Sequence, residues 1–313
     1  MAPPLHTSLH KTSKRRFSPI EFTKAQRDAI AMERLTPSPH IIDVYGFCGL
    51  SALNEMANGS VVSFLQRKVL SPRRVLSLAV DAVLAVASVH GLDEGLPPTM
   101  VHRDINVKNF VISLDGSSLK LNDFNFATFL KWDARTKSRC GFLTRSVSPV
   151  RYRGRVIPEK NVFILIFEIA DHHPFYFLKV SVIALTFSLF IVVESLMKYR
   201  SPEEIKRSFQ TEKVDIYALA NVFYFLLTGK EPYSNPHKVL NLTVGSTDLT
   251  EIHTSIINGD LPVLPSSILM SKDPAVVTIR NIMEACYSYE AEDRPDANVV
   301  VAQLQAAFKN GKK

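Results

Sequence analysis

The stretch "VHRDINVKNFVI", Val101–Ile112, puts a His, an Arg and an Asp in a row and an Asn five places after the Asp. Apolar residues close it at both ends, so it reads as a polar loop between two buried segments. A loop acid is ordinarily solvated or capping a turn. A carboxylate and a carboxamide at a fixed interval can also face one reaction, Asp104 steering a hydroxyl and Asn109 holding a metal. Fourteen places after Asn109, "NDFNFA" adds Asp123 beside Phe124, following "LDGSSLKL", whose Asp-Gly pair marks the turn of a hairpin. Two acids and an Asn on loops flanking one hairpin suit phosphoryl transfer. Magnesium takes hard oxygen ligands, usually only one or two of them from protein. Asn109 and Asp123 can supply those. Asp104 can orient the attacking hydroxyl and accept its proton, in chemistry that asks mainly for positioning and charge neutralisation.

The 313 residues suffice for one large domain or two lobes around a sizeable core. With 46% hydrophobic and 21% charged residues, the chain has the make-up of a globular protein. Net charge of +7 and a pI near 9.2 favour phosphorylated or acidic ligands, yet the basic residues are too dispersed to argue for a nucleic-acid partner. Cys48, Cys140 and Cys286 lie far apart. They fit neither a disulfide framework nor a zinc site, which points to a reducing, cytoplasmic location. "MAPPLHTSLHKTSKRRF" carries basic residues with no apolar core after them, so no secretory signal is expected.

Residues 19–35, "PIEFTKAQRDAIAMERL", predict a helix with Ala25, Ile30, Met32 and Leu35 on its apolar face. "TPSPH" breaks it. "IIDVYGFCG" and "SALNEMA" predict two strands around a short turn. "SPRRVLSLAVDAVLAVASVHGL" predicts a long apolar helix with a Ser-Pro start. From Ser201 onward the pattern is helical, with loops at "TGKEPYSNPHK" and "GDLPVLPSS". Residues 154–197 include the very apolar "NVFILIFEIA" and "VSVIALTFSLFIVVESLM". The uncharged run there, Val180 to Val193, is shorter than the roughly 20 residues a membrane span needs.

"HRDINVKN" resembles the catalytic loop of the eukaryotic protein kinases, and "DFN" stands where that family has Asp-Phe-Gly. "YRSPEE" resembles the motif that closes the family's activation segment, with Ser201 in place of Ala. "KVDIYALANVFYFLLTGKEPY" resembles the central helix of the large lobe and carries its buried acid as Asp215. "DRP", Asp293–Pro295, supplies Arg294 as the partner of Glu203. The five blocks keep the family's order. The resemblance implies an α+β, two-lobed fold. Its truncated N-lobe would cover residues 1–55 and its mainly helical C-lobe residues 56–310, interrupted by an apolar insert at about 154–200. It implies transfer of the γ-phosphate of ATP to a Ser, Thr or Tyr hydroxyl of a protein substrate, with ATP and Mg2+ as cofactors. Asp104, Lys108 and Asn109 would be catalytic, and Asn109 and Asp123 would bind the metal. Lys11, with Lys14 as its competitor, would reach the nucleotide phosphates from a pair with Asp28. Glu55 and Ala57 would offer hinge backbone to adenine, next to Asn54. Asp215 would anchor backbone amides of the catalytic loop. Met32, Val44, His102 and Phe124 would stack between the lobes.

Asn106 stands where serine/threonine kinases carry a Lys, and Lys108 where a large group of tyrosine kinases carries an Arg. "SPVRY" joined to "RSPEE" resembles the tyrosine-kinase substrate-binding loop. Both cues lean toward a tyrosine-kinase-like group. The chain departs from the family in three places. No glycine-rich loop precedes Lys11, so the roof of backbone N–H groups over the phosphates is missing. Asn125 replaces the Gly of Asp-Phe-Gly, a place where the family often uses unusual backbone angles that Asn tolerates at positive φ. "VRYR", Val150–Arg153, and "MKYR", Met197–Arg200, both end in Tyr-Arg, as though a retained intron or an insertion had split one joint. A membrane span at 176–197 would put Asp104 and Asp215 on opposite sides of a bilayer, although the resemblance requires them to touch, so membrane contact there is not expected. The departures keep a second reading open, a pseudokinase scaffold or an incomplete gene model of an active kinase.

Overall fold

The computed structural model describes residues 8–12, 19–67, 69–92, 98–135, 137–143, 151–152, 155–156, 198–234 and 247–310. Among these the fold is α+β, with small antiparallel sheets and many helices. Strands β1 (Ser8–Thr12), β2 (Val44–Cys48) and β3 (Ser51–Glu55) form one sheet with β3 in the middle. Lys11 stands opposite Ala52, and Val44 opposite Asn54. The two strands expected around a short turn are β2 and β3.

Helix α1, Pro19–Leu35, has the expected bounds, and Met32 and Leu35 of its expected apolar face are buried, but Ile30 is not. Asp28, Ala31, Met32 and Leu35 are buried, whereas Ile30 is 37% exposed. At 100° per residue, positions 28, 31, 32 and 35 make one stripe, and Ile30 lies about 200° from Asp28. The stripe admits an acid because that acid has a backbone partner, described below.

A second sheet runs β4 (Ala57–Ser60), β6 (Phe110–Ser113), β7 (Leu119–Leu121), with Phe110 opposite Leu121. The pair β6–β7 is the expected hairpin. Gly116, at φ +74°, takes the left-handed position in its turn. Between them in sequence lie α2 (Val61–Arg67), α3 (Pro72–His90) and the short strand β5 (Met100–Val101), which pairs with β8 (Thr128–Phe129). Ser71 caps α3, its hydroxyl accepting from the Arg74 amide at 3.3 Å, with Pro72 in the first turn.

Helix α4 (Pro202–Ile205) leads into α5 (Lys213–Thr228), where every residue from Val214 to Leu226 is buried. A helix apolar on all sides belongs in the core. Gly229, at φ +68°, ends it in the left-handed conformation. The C-terminal helices Pro274–Cys286 and Ala297–Asn310 pack against α3, the first of them also against α5, and close the main hydrophobic core. Among the described residues no helix is long and apolar enough to cross a membrane, and the 176–197 segment lies outside them.

Candidate active site

The loop before β6 hangs from one carboxylate. Asp215, in the first turn of α5, is 1% exposed. Its Oδ2 accepts from the His102 amide at 2.7 Å, its Oδ1 accepts from the Arg103 amide at 2.8 Å, and His90 Nε2 lies 3.1 Å from Oδ2. Burial alone would raise the Asp215 pKa. The bonds from His90 and the His102 amide overcome it and hold the group below the usual carboxylate range. Pinning two successive amides forces Arg103 into φ +65°, and Asp104 follows from that turn.

Asp104 is 9% exposed. The Asn109 amide donates to its carbonyl at 2.8 Å and to its Oδ2 at 3.0 Å. Asn106, also buried, donates to the same carbonyl at 2.9 Å and accepts from the Lys108 amide at 2.9 Å. The acid and carboxamide singled out in the sequence are thus in direct contact. Asn109 is fixed through its nitrogen, which leaves Oδ1 for a cation. Its carbonyl accepts from the Asn122 amide at 2.9 Å, one residue before Asp123. Asp123 itself sits at φ +66° and takes a short hydrogen bond from the Asn125 side chain on Oδ1.

Asn125 is not among the positive-φ residues. The expectation that the Gly-to-Asn change falls on a left-handed position is therefore corrected: the strained backbone belongs to Asp123, two residues earlier. Phe124 is fully buried and meets the His102 ring at 4.6 Å, edge-on at 63°. Met32 shares that core, and Val44 packs against it.

Asp28 reaches the same loop from α1. Its Oδ1 accepts from the Phe124 amide at 2.6 Å, and Arg27 donates to the Asn125 carbonyl at 3.1 Å. Lys11 lies on β1, which pairs with β3. Its side chain is outside the described residues, as is all of Lys14. At the end of β3 the Glu55 amide donates to the Asp43 carbonyl at 2.8 Å, and the Lys120 ammonium holds both Glu55 carboxylate oxygens at 2.7 Å. Ala57 begins β4 opposite Ser113. Asn54, 3% exposed, buries its side-chain oxygen with no partner among the described residues.

Sequence reasoning missed Arg200. It donates to Asp104 Oδ1 at 3.2 Å, to the Arg103 carbonyl at 2.5 Å and to Glu204 Oε1 at 2.9 Å. The only signal was its place inside the closing motif "YRSPEE". The Lys108 ammonium, by contrast, forms no hydrogen bond or ion pair among the described residues. The closing motif is itself anchored: Glu203 accepts from Arg294 at 2.6 and 2.9 Å.

Among the described residues no cluster of three or more His, Cys, Asp or Glu could hold a metal unaided. One carboxylate and one amide oxygen, from Asp123 and Asn109, suit a magnesium ion that arrives with phosphates supplying the remaining oxygens.

No protein-family model matches the chain. Two proteins of Acanthamoeba polyphaga mimivirus are each 21% identical to it, over 271 and 229 residues, or 85% and 73% of this chain. Both carry the provisional name of serine/threonine-protein kinase/receptor. The relationship is protein-kinase-like and distant. The chain spans 12% and 9% of the length of those two relatives.

Proposed function

We propose that the chain is an ATP-dependent protein kinase with a two-lobed fold, the β1–β3 sheet and α1 making the smaller lobe and the part beyond Glu55 the larger. One observation carries the reading: Asp104 and Asn109 touch, and the amide of Asn122, the residue before Asp123, donates to the Asn109 carbonyl. Asp104 orients the hydroxyl of a protein substrate and takes its proton. Asn109 and Asp123 hold magnesium, which neutralises charge on the transferred phosphoryl group. Lys108, whose ammonium is unengaged among the described residues, meets the phosphate in flight, and Lys11 reaches the bound nucleotide from β1. The Glu55–Ala57 backbone receives adenine, and the unpartnered Asn54 oxygen supports a polar ligand group there.

The acceptor remains a Ser, Thr or Tyr hydroxyl. The relatives' names favour the first two, and the Asn106 and Lys108 positions favour a tyrosine-kinase-like group. Free cysteines at 48, 140 and 286 suit a cytoplasmic setting. A scaffold without activity is the second reading, favoured by the Asn125 side chain lying on Asp123 Oδ1, where it competes with a metal.

The test is calorimetric ATP binding with and without Mg2+, followed by transfer of labelled γ-phosphate to casein and to a Glu-Tyr copolymer. Magnesium-dependent binding with transfer abolished by Asp104→Asn supports the kinase. Binding without transfer supports the scaffold, and no binding overturns the nucleotide site.

A further inference from the structure

Asp104 has a partner that no feature of its own loop supplies. We propose that Arg200 is the positioning residue of the site, bracing the Asp104 carboxylate and tying it to the segment that closes the insert. The inference rests on the reading above for its chemistry, but its geometry stands separately. Asn109 donates to Oδ2 at 3.0 Å and Arg200 to Oδ1 at 3.2 Å, so each carboxylate oxygen carries one donor and its plane is fixed from two sides. Each oxygen keeps acceptor capacity for a substrate hydroxyl.

Arg200 is itself held at three points. Nη1 is shared between the Arg103 carbonyl at 2.5 Å and Glu204 Oε1 at 2.9 Å. Tyr199, before it, is buried and bonds Glu231 Oε2 at 3.0 Å through its hydroxyl; Ser201, after it, is fully buried. The other Glu204 oxygen accepts from the Ser201 amide at 3.0 Å and from its hydroxyl at 3.1 Å, the capping box of α4. One carboxylate therefore serves both the helix cap and the brace. Ser201, Glu204, Arg200 and Asp104 form a continuous polar chain, and the order of the closing segment reaches the acid that orients the hydroxyl.

The side chains are largely withdrawn from water: Arg200 is 23%, Asp104 10% and Glu204 7% exposed. A pair so placed is screened far less than a surface pair. Burial works against the Arg200 charge, but Glu204 and then Asp104 outweigh it and keep the guanidinium protonated. A Lys could carry the charge but could not span three acceptors in one plane.

The experiment uses the full chain with Arg200→Met, Arg200→Lys and Glu204→Gln, assayed with ATP and casein. Arg200→Met is expected to lower kcat by about 10- to 100-fold, with KM for ATP within about twofold, because a misplaced group affects the step rather than nucleotide binding. Arg200→Lys should recover part of the loss, and Glu204→Gln should fall between wild type and Arg200→Met. An unchanged kcat in Arg200→Met, or a loss matching only the fraction of unfolded protein, overturns the proposal. A second measurement needs no turnover: a thermal-unfolding cycle of Asp104→Asn, Arg200→Met and the double variant. Melting shifts that are smaller in the double variant than the sum of the singles support the brace, and additive shifts overturn it. If the wild type transfers no phosphate, the kinase reading fails while this cycle still decides the role of Arg200.

Discussion

Glu203 and Arg294 stand 91 positions apart and meet in a two-pronged ion pair at 2.6 and 2.9 Å, with the Arg294 side chain wholly buried. The guanidinium also donates to the carbonyls of Ser288, Lys213 and Tyr289 at 2.8, 3.0 and 3.0 Å. It thereby fastens the closing motif to α5 and to the loop before the last helix. Removing one member strands a buried charge, which costs about 3–5 kcal/mol. Glu203→Gln and Arg294→Lys are both expected to lose about that much in urea unfolding. Arg294→Lys offers no relief, because one ammonium has three protons for five acceptor contacts.

Asp215 performs a comparable task for the loop of His102 and Arg103. Asp215→Asn has one oxygen where two amides now donate, and its NH2 would face a donor. A loss of about 2–3 kcal/mol at neutral pH is expected. The folded pKa lies below the ordinary 3.8, so the carboxylate contributes stability above pH 3.8 that disappears as pH falls through the lower folded value. Urea midpoints of wild type and Asp215→Asn should differ fully at pH 7 and converge in acid below pH 3.8.

Much of this was legible in the sequence because it is local. The hairpin turn, the Ser-Pro start of α3 and the mainly apolar α5 each follow from residues within a few positions. Asp215, Glu203 and Arg294 were legible only through the resemblance, since nothing local says that a helix acid will hold amides more than a hundred positions away. On α1 the apolar face holds at Met32 and Leu35 but fails at Ile30, which looked like core while Asp28 did not. The Phe124 amide, 96 positions away, helps to make the buried Asp28 tolerable, a long-range fact. Arg200 was hidden for the same reason: its partner Asp104 lies 96 positions back.

Asp81, on α3, shows the opposite pH behaviour to Asp215. Burial pushes its pKa up to about 6, although the Leu119 amide donates to it at 3.0 Å. The folded chain then holds a proton that the unfolded chain releases, so stability declines from about pH 3.8 to about pH 6 and stays lower above that. Asp81→Asn keeps an acceptor for Leu119 and removes the charge. It should be more stable than wild type by about 1–2 kcal/mol at pH 8. The gain should vanish near pH 4, as read from urea unfolding at both values.

Asn125 decides whether the loop proposed to hold magnesium is impaired or merely altered. A Gly-to-Asn change at a left-handed position would store strain, and Asn125→Gly would then stabilise the chain. Asn125 does not occupy such a position; Asp123 does, at φ +66°. Asn125→Gly should instead lower stability by about 0.5–1 kcal/mol through added freedom in the unfolded chain. It also removes the side-chain amide that lies on Asp123 Oδ1 and competes with a cation for that oxygen. The magnesium concentration that half-saturates ATP binding should therefore fall several-fold in Asn125→Gly, while binding without magnesium stays as in wild type. Titrating Mg2+ at fixed ATP, beside a urea melt of the same sample, measures both effects. A more stable variant with an unchanged magnesium requirement would show that the amide at residue 125 neither guards nor blocks the Asp123 carboxylate.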